Sequence, residues 1–198
     1  MTALGAVVGA ESTRFAVRSP HADAVWLCLF SESGESSHVM QREGPDWVLE
    51  LPGNLAGTRY GYRAAGEWSP HHRHWFDPSK LLVDPYAVEL DRRFQQDPRL
   101  AIFGEDTADI VPRAIVPSPD HPHPAEPPRF DRGSLVYELN VRAFTIRHPD
   151  VPEHLRGTVA ALAHPAVIAH LKKLSVSAVE LMPIVAWVDE RHLKPLGL

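Results

Sequence analysis

Cysteine is almost absent: Cys28 is the only one in 198 residues. No intrachain disulfide can form, which fits a reducing compartment. Long apolar runs are missing too. The start, Met1-Thr2-Ala3-Leu4-Gly5-Ala6-Val7-Val8, has no basic flank, and Glu11 and Arg14 soon interrupt it. Neither a signal peptide nor a membrane span is expected, and the expected location is cytoplasmic. A basic surplus is lacking, since the net charge is −5. That balance disfavours a broad nucleic-acid surface. There is no nucleophile elbow, phosphate loop or dinucleotide fingerprint. No cofactor is expected.

What the chain does have is an ordinary globular composition, with 44% hydrophobic and 23% charged residues. Its length allows one large domain or two small ones. Proline is the exception: nineteen are nearly twice the usual share, and seven fall between Pro112 and Pro128. In the stretch Pro117-Ser118-Pro119-Asp120-His121-Pro122-His123-Pro124 each proline lacks the amide donor and fixes φ, so neither helix nor central strand can form. It reads as an extended connector, so a domain boundary is expected over residues 112–133.

Before the connector, residues 1–111 carry short alternating runs. Phe15 and Val17 share one face. Val25, Leu27 and Leu29 oppose Trp26, Cys28 and Phe30. Trp47, Leu49 and Leu51 alternate with Val48 and Glu50, and Tyr60 and Tyr62 alternate with Arg59, Gly61 and Arg63. Period-two runs bounded by Ser-Pro, Gly-Pro and Pro-Gly predict a small antiparallel β-sandwich.

An indole face can pack against the apolar face of a sugar ring. Trp47, Trp68 and Trp75 are therefore candidates for carbohydrate binding. Trp26 and Trp47 are expected instead to fill the sandwich core. Trp68 and Trp75 lie in a loop-like stretch, which serves either a sugar site or packing onto a following domain. His71, His72, His74 and Asp77 share that stretch, but no second ligand pair completes a metal site. No metal is expected there, nor at His121 and His123.

Residues 134–198 read differently. Leu135 to Asn140 is a strand, Pro165 to Leu174 a helix, and Ala178 to Met182 a second strand. Val167, Ile168, Leu171 and Leu174 recur at helical spacing, Pro165 suits the first turn, and Lys172 and Lys173 suit the last. A parallel pair of this kind crosses over right-handedly and is stable only when covered on both faces. The expected fold is a β-sandwich (immunoglobulin-like) followed by an incomplete α/β segment. Glu138 and Glu180 fall on neighbouring strands about 4.8 Å apart. Retaining glycosidases space their carboxyls similarly, but these two are expected to be structural ion-pair or hydrogen-bond residues.

The segment Val136-Tyr137-Glu138-Leu139-Asn140-Val141-Arg142-Ala143-Phe144-Thr145 resembles the first barrel strand of bacterial isoamylase-type glycogen debranching enzymes. These belong to the α-amylase superfamily, glycoside hydrolase family thirteen. The resemblance continues through Leu155-Arg156-Gly157-Thr158, His164-Pro165-Ala166-Val167-Ile168, His170 to Leu174, Ala178 to Ile184, Asp189-Glu190 and Leu196-Gly197-Leu198. Upstream, Val25 to Phe30, Tyr60-Gly61-Tyr62-Arg63 and Lys80 to Ala87 resemble that family's carbohydrate-binding module of family forty-eight. Ser175-Val176-Ser177 stands where the family usually has Gly-Val-Thr. A glycine there supplies positive φ at the helix C-cap.

The resemblance implies that 134–198 is the first strand–helix–strand unit of a (β/α)8 barrel, left unfinished. It implies α-1,6 debranching of glycogen or limit dextrins by two carboxylates in a retaining double displacement. The family's catalytic aspartate, glutamate and second aspartate have no matching positions, so no catalytic residue is carried over and the chain alone is expected to be inactive. An α-glucan is the expected partner, with Trp68 and Trp75 as its candidate contacts. The missing barrel remainder is the expected packing partner. The alternatives are a stand-alone glucan-binding module, a non-functional fragment, and a trehalose-releasing relative.

Overall fold

The structure is a computed structural model that describes residues 3–118 and 132–185 together with Leu193 and Leu196. His121 and His123 of the connector lie outside the described residues, as do Asp189, Glu190 and Gly197 of the closing loop. The chain divides into two compact units, Met1–Pro122 with Trp187–Leu198 and His123–Ala186.

The first unit is a β-sandwich. Its first seven strands are β1 (Gly5–Val8), β2 (Ser12–Arg18), β3 (Ala24–Ser31), β4 (Gly34–Val39), β5 (Gln41–Glu43), β6 (Asp46–Pro52) and β7 (Arg59–Ala65). A two-strand hairpin follows, β8 (Trp68–Ser69) and β9 (His74–Trp75), and then β10 (Ala114–Ile115). One antiparallel sheet has the order β1-β2-β6-β5 and the other β10-β7-β3-β4. Alternation decides what faces the core. Phe15 and Trp47 from the first sheet meet Val25, Leu27, Tyr60 and Tyr62 from the second. Phe15 and Tyr60 cross between the sheets, ring centroids 5.1 Å apart and edge to face. The Trp47 indole N–H donates to Ser19 O at 3.0 Å, so this tryptophan is a satisfied core residue. Trp26 is different. It is half-buried on the opposite face of β3, outside the inter-sheet cluster, which corrects its expected place in the core.

That opposite face has a cluster of its own. Cys28 and Phe30 pack with Leu81 and Val111, supplied by the long irregular segment after β9. Burial pushes the Cys28 thiol up to about 12, so it is a packed apolar group and not a reactive one. The irregular segment lies close against β7, where Tyr62 and Leu82 exchange backbone hydrogen bonds at 2.9 and 2.8 Å. A glycine is needed here: a Cβ on Gly61 would sit 2.9 Å from Leu81 Cδ1 and 3.0 Å from Leu82 O.

The first residues of the stretch expected as connector pack with the sandwich. Pro112, Ala114 and Val116 are buried, and β10 pairs with β7. Val116 and Thr58 join through a 2.9 Å hydrogen bond. Proline beside an edge strand is compatible with pairing on one side only, and β10 is an edge.

The second unit contains β11 (Leu135–Leu139), α1 (Val141–Thr145), α2 (Pro165–Lys173) and β12 (Val176–Leu181). β11 and β12 pair in parallel. The strand expected to reach Asn140 stops one residue earlier. The Asn140 side chain accepts from the Ala143 amide at 2.9 Å and starts α1, so the last residue of the expected strand is the cap of a helix. His164 caps α2, Pro165 opens it, and basic residues close it. Val151, Ala161, Val167 and Leu171 form a small core. Ser175 takes the left-handed conformation, φ 56°, just past the C-terminus of α2.

Candidate functional site

The register of the β8–β9 hairpin decides the geometry of the candidate site. Trp68 pairs with Trp75 across the two strands, and cross-strand partners share a face. Their ring centroids are 5.5 Å apart and the planes stand 87° to one another. Trp75 is 64% exposed and Trp68 42%. The hairpin turns through Pro70–His72 and Arg73, whose φ is 66°.

A third ring joins them. Phe103 meets Trp68 at 4.7 Å and is itself 55% exposed. Sequence reading passed over it, because it lies in a loop without periodicity. The available hint was the short apolar run Leu100-Ala101-Ile102-Phe103 before Gly104.

Lys80 and Asp77, just past the hairpin, hold the Phe103 loop. Lys80 Nζ donates to Arg99 O at 3.0 Å and to the carbonyls of Ile102 and Glu105. Asp77 accepts from the Gly104 amide at 2.9 Å and from the Ser79 amide and hydroxyl at 3.0 and 2.6 Å. Burial alone would raise the Asp77 carboxyl. The Ser79 hydroxyl, the two amides and Lys80 outweigh it and hold the group below its ordinary value.

The histidines do not converge with Asp77. His72 Nδ1 lies 3.0 Å from Ser69 Oγ, His74 Nδ1 lies 3.4 Å from Glu67, and His74 stacks on His21 at 5.2 Å. Among the described residues no group of three or more potential ligands could hold a metal ion. A cleft of about 300 Å³ opens beside Trp75, lined in part by His21, Arg73, His74 and Leu82. Its polar groups can exchange hydrogen bonds with a hydroxylated ligand lying on the indole.

A second cleft, about 290 Å³, is lined by Glu35, Asp106, Asp109 and Arg113 among others. Its carboxylates are already paired, with Arg63 and with Arg99. Arg113 covers the Phe30 ring at 3.9 Å, so no aromatic face is free there.

In the second unit Glu138 and Glu180 are register partners on β11 and β12, as the strand reading implied. Both are exposed. Among the described residues neither shows an ion pair or a side-chain hydrogen bond.

Residues 3–87 match carbohydrate-binding module 48, the isoamylase N-terminal domain. The whole chain aligns at 40% identity with 31% of the glycogen debranching enzyme of Yersinia pseudotuberculosis serotype IB (strain PB1/+). The chain is homologous to the N-terminal region of glycogen debranching enzymes. It aligns at 39% with 31% of the Yersinia enterocolitica serotype O:8 glycogen debranching enzyme, so it spans about a third of these debranching relatives. Among solved structures, a pullulanase from Anoxybacillus sp. LM18-11 complexed with maltotetraose superposes with TM-score 0.64 at 23% identity, over 98% of this chain and 27% of that one. The glycogen-degrading pneumococcal virulence factor SpuA superposes with TM-score 0.69 at 21% identity, over 98% and 20%. These likenesses extend the shared fold across both units. Among the described residues no helix is long and apolar enough to cross a membrane.

Proposed function

We propose that the sandwich binds α-glucan through Trp75 and Trp68, and that the chain serves as the N-terminal part of a cytoplasmic glycogen debranching enzyme acting on α-1,6 linkages. The observation that carries the glucan site is the exposed Trp75 indole, standing 87° to Trp68 beside a mainly apolar cleft that also carries His21 and Arg73. Successive rings of an α-1,4-linked chain turn relative to one another. Two faces at an angle fit such a curved chain better than a flat one. The module-48 match spans both tryptophans, and the debranching relatives and the pullulanase and SpuA likenesses support the same ligand class.

In this reading residues 134–198 begin a (β/α)8 barrel, after a connector that runs to residue 133. The later strands would be the natural cover for the exposed Val136, Ile168 and Val179. An isolated parallel pair leaves its faces open to water, whereas a barrel buries them. Hydrolysis by the retaining route needs two carboxylates flanking the scissile bond. The family resemblance assigns neither to this chain, so the chain alone binds and does not cut. Co-sedimentation with glycogen, together with assay of released branch chains, tests both halves. Retention without release is expected; no retention, or measurable release, contradicts the reading.

A further inference from the structure

We infer that Phe103 is a positioning residue of the glucan site, holding Trp68 upright against Trp75; the inference rests on the proposed Trp68–Trp75 reading. Trp68 is the ring shared by both contacts. Its centroid lies 5.5 Å from that of Trp75 and 4.7 Å from that of Phe103. A two-residue strand has few ladder hydrogen bonds, so the β8–β9 hairpin gives Trp68 little support of its own. Support comes from the loop around Phe103.

That loop is tied to the hairpin at both levels of the chain. Lys80 gathers the carbonyls of Arg99, Ile102 and Glu105, and Asp77 takes the Gly104 amide. Asp77 and Lys80 follow the hairpin directly, so a shift of one segment moves the other. A side chain meant only to fill space would be buried, yet Phe103 is 55% exposed and spends its contact on an exposed tryptophan. Aromatic pairs at this spacing contribute beyond area burial.

The test uses the full 198-residue chain with maltoheptaose, comparing wild type with Trp75→Ala, Phe103→Ala, Phe103→Tyr and Lys80→Met. Two readouts are taken: the dissociation constant, and the far-ultraviolet exciton couplet that two indoles at this angle and distance produce. Trp75→Ala should weaken binding tenfold or more. Phe103→Ala should weaken it by about 3- to 10-fold and diminish the couplet. Phe103→Tyr should restore both, and Lys80→Met should act in the same direction as Phe103→Ala. If Trp75→Ala weakens binding while Phe103→Ala leaves it at the wild-type value, the role of Phe103 falls and the tryptophan reading stands. Weakened binding with an unchanged couplet overturns the positioning role. Wild type that does not bind, or Trp75→Ala that binds as wild type does, overturns the glucan reading and this inference with it.

Discussion

The Tyr60 hydroxyl donates to Asp84 Oδ2 at 2.7 Å, joining a core strand to the irregular segment that crosses the second sheet. Tyr62 approaches the same oxygen at 3.4 Å, and the Tyr86 amide donates to the other at 2.8 Å. All three side chains, Tyr60, Tyr62 and Asp84, are buried. Burial, and then the Asp84 charge, raise both phenols above their ordinary range, so the hydroxyls stay protonated donors. Replacing Asp84 by Ala strands two buried hydroxyls. The expected loss is about 1–3 kcal/mol, read by urea denaturation. A loss below about 0.5 kcal/mol would mean that the carboxylate does not anchor this segment.

Asp77 gives the sandwich an acid limit. Its folded value lies below its unfolded one, which is about 3.9. The stabilisation is therefore present above about pH 4 and is lost as pH falls further, through the folded value. Wild type should lose more of its melting temperature between pH 5 and pH 3 than Asp77→Asn, which starts lower and has no such carboxyl to protonate. Equal slopes for the two proteins would contradict the assignment.

Ser175 holds φ 56° without the freedom of glycine. A left-handed conformation costs a residue with a Cβ roughly 1–2 kcal/mol. Ser175→Gly relieves this, less the extra entropy glycine loses on folding. The second unit should gain about 0.5–1 kcal/mol, seen as slower amide exchange in α2 and β12. Faster exchange would contradict it.

The second unit carries many exposed apolar side chains for its size, among them Leu135, Val136, Ile168, Leu174 and Val179. Its core is confined to a small cluster. Limited proteolysis should cut within 132–185 before it cuts within 3–110, and the chain should associate as concentration rises. Equal protection of both parts would count against the reading that later elements cover this unit.

Period-two alternation was legible wherever both sheet faces had a clear partner. It sorted Val25 and Leu27 from Cys28 and Phe30 correctly. It could not say that Trp26 sits outside both clusters, because alternation orders residues by face and not by depth. The Tyr60–Asp84 contact was invisible, since nothing local links residues 24 apart. Asn140 closes the expected strand although it is a helix-capping residue type, because the apolar run before it reads as strand. Trp68 and Trp75 could be picked out as exposed-loop aromatics. Phe103 could not, because only folding brings its loop to theirs.

The most direct test of glucan binding at the paired tryptophans is an NMR titration of the indole N–H signals with maltoheptaose. The Trp75 and Trp68 signals should shift together and saturate, while Trp47, whose indole N–H is held by Ser19 O at 3.0 Å, stays in place. A titration in which Trp75 and Trp68 do not move, or move no more than Trp47, would contradict the claim.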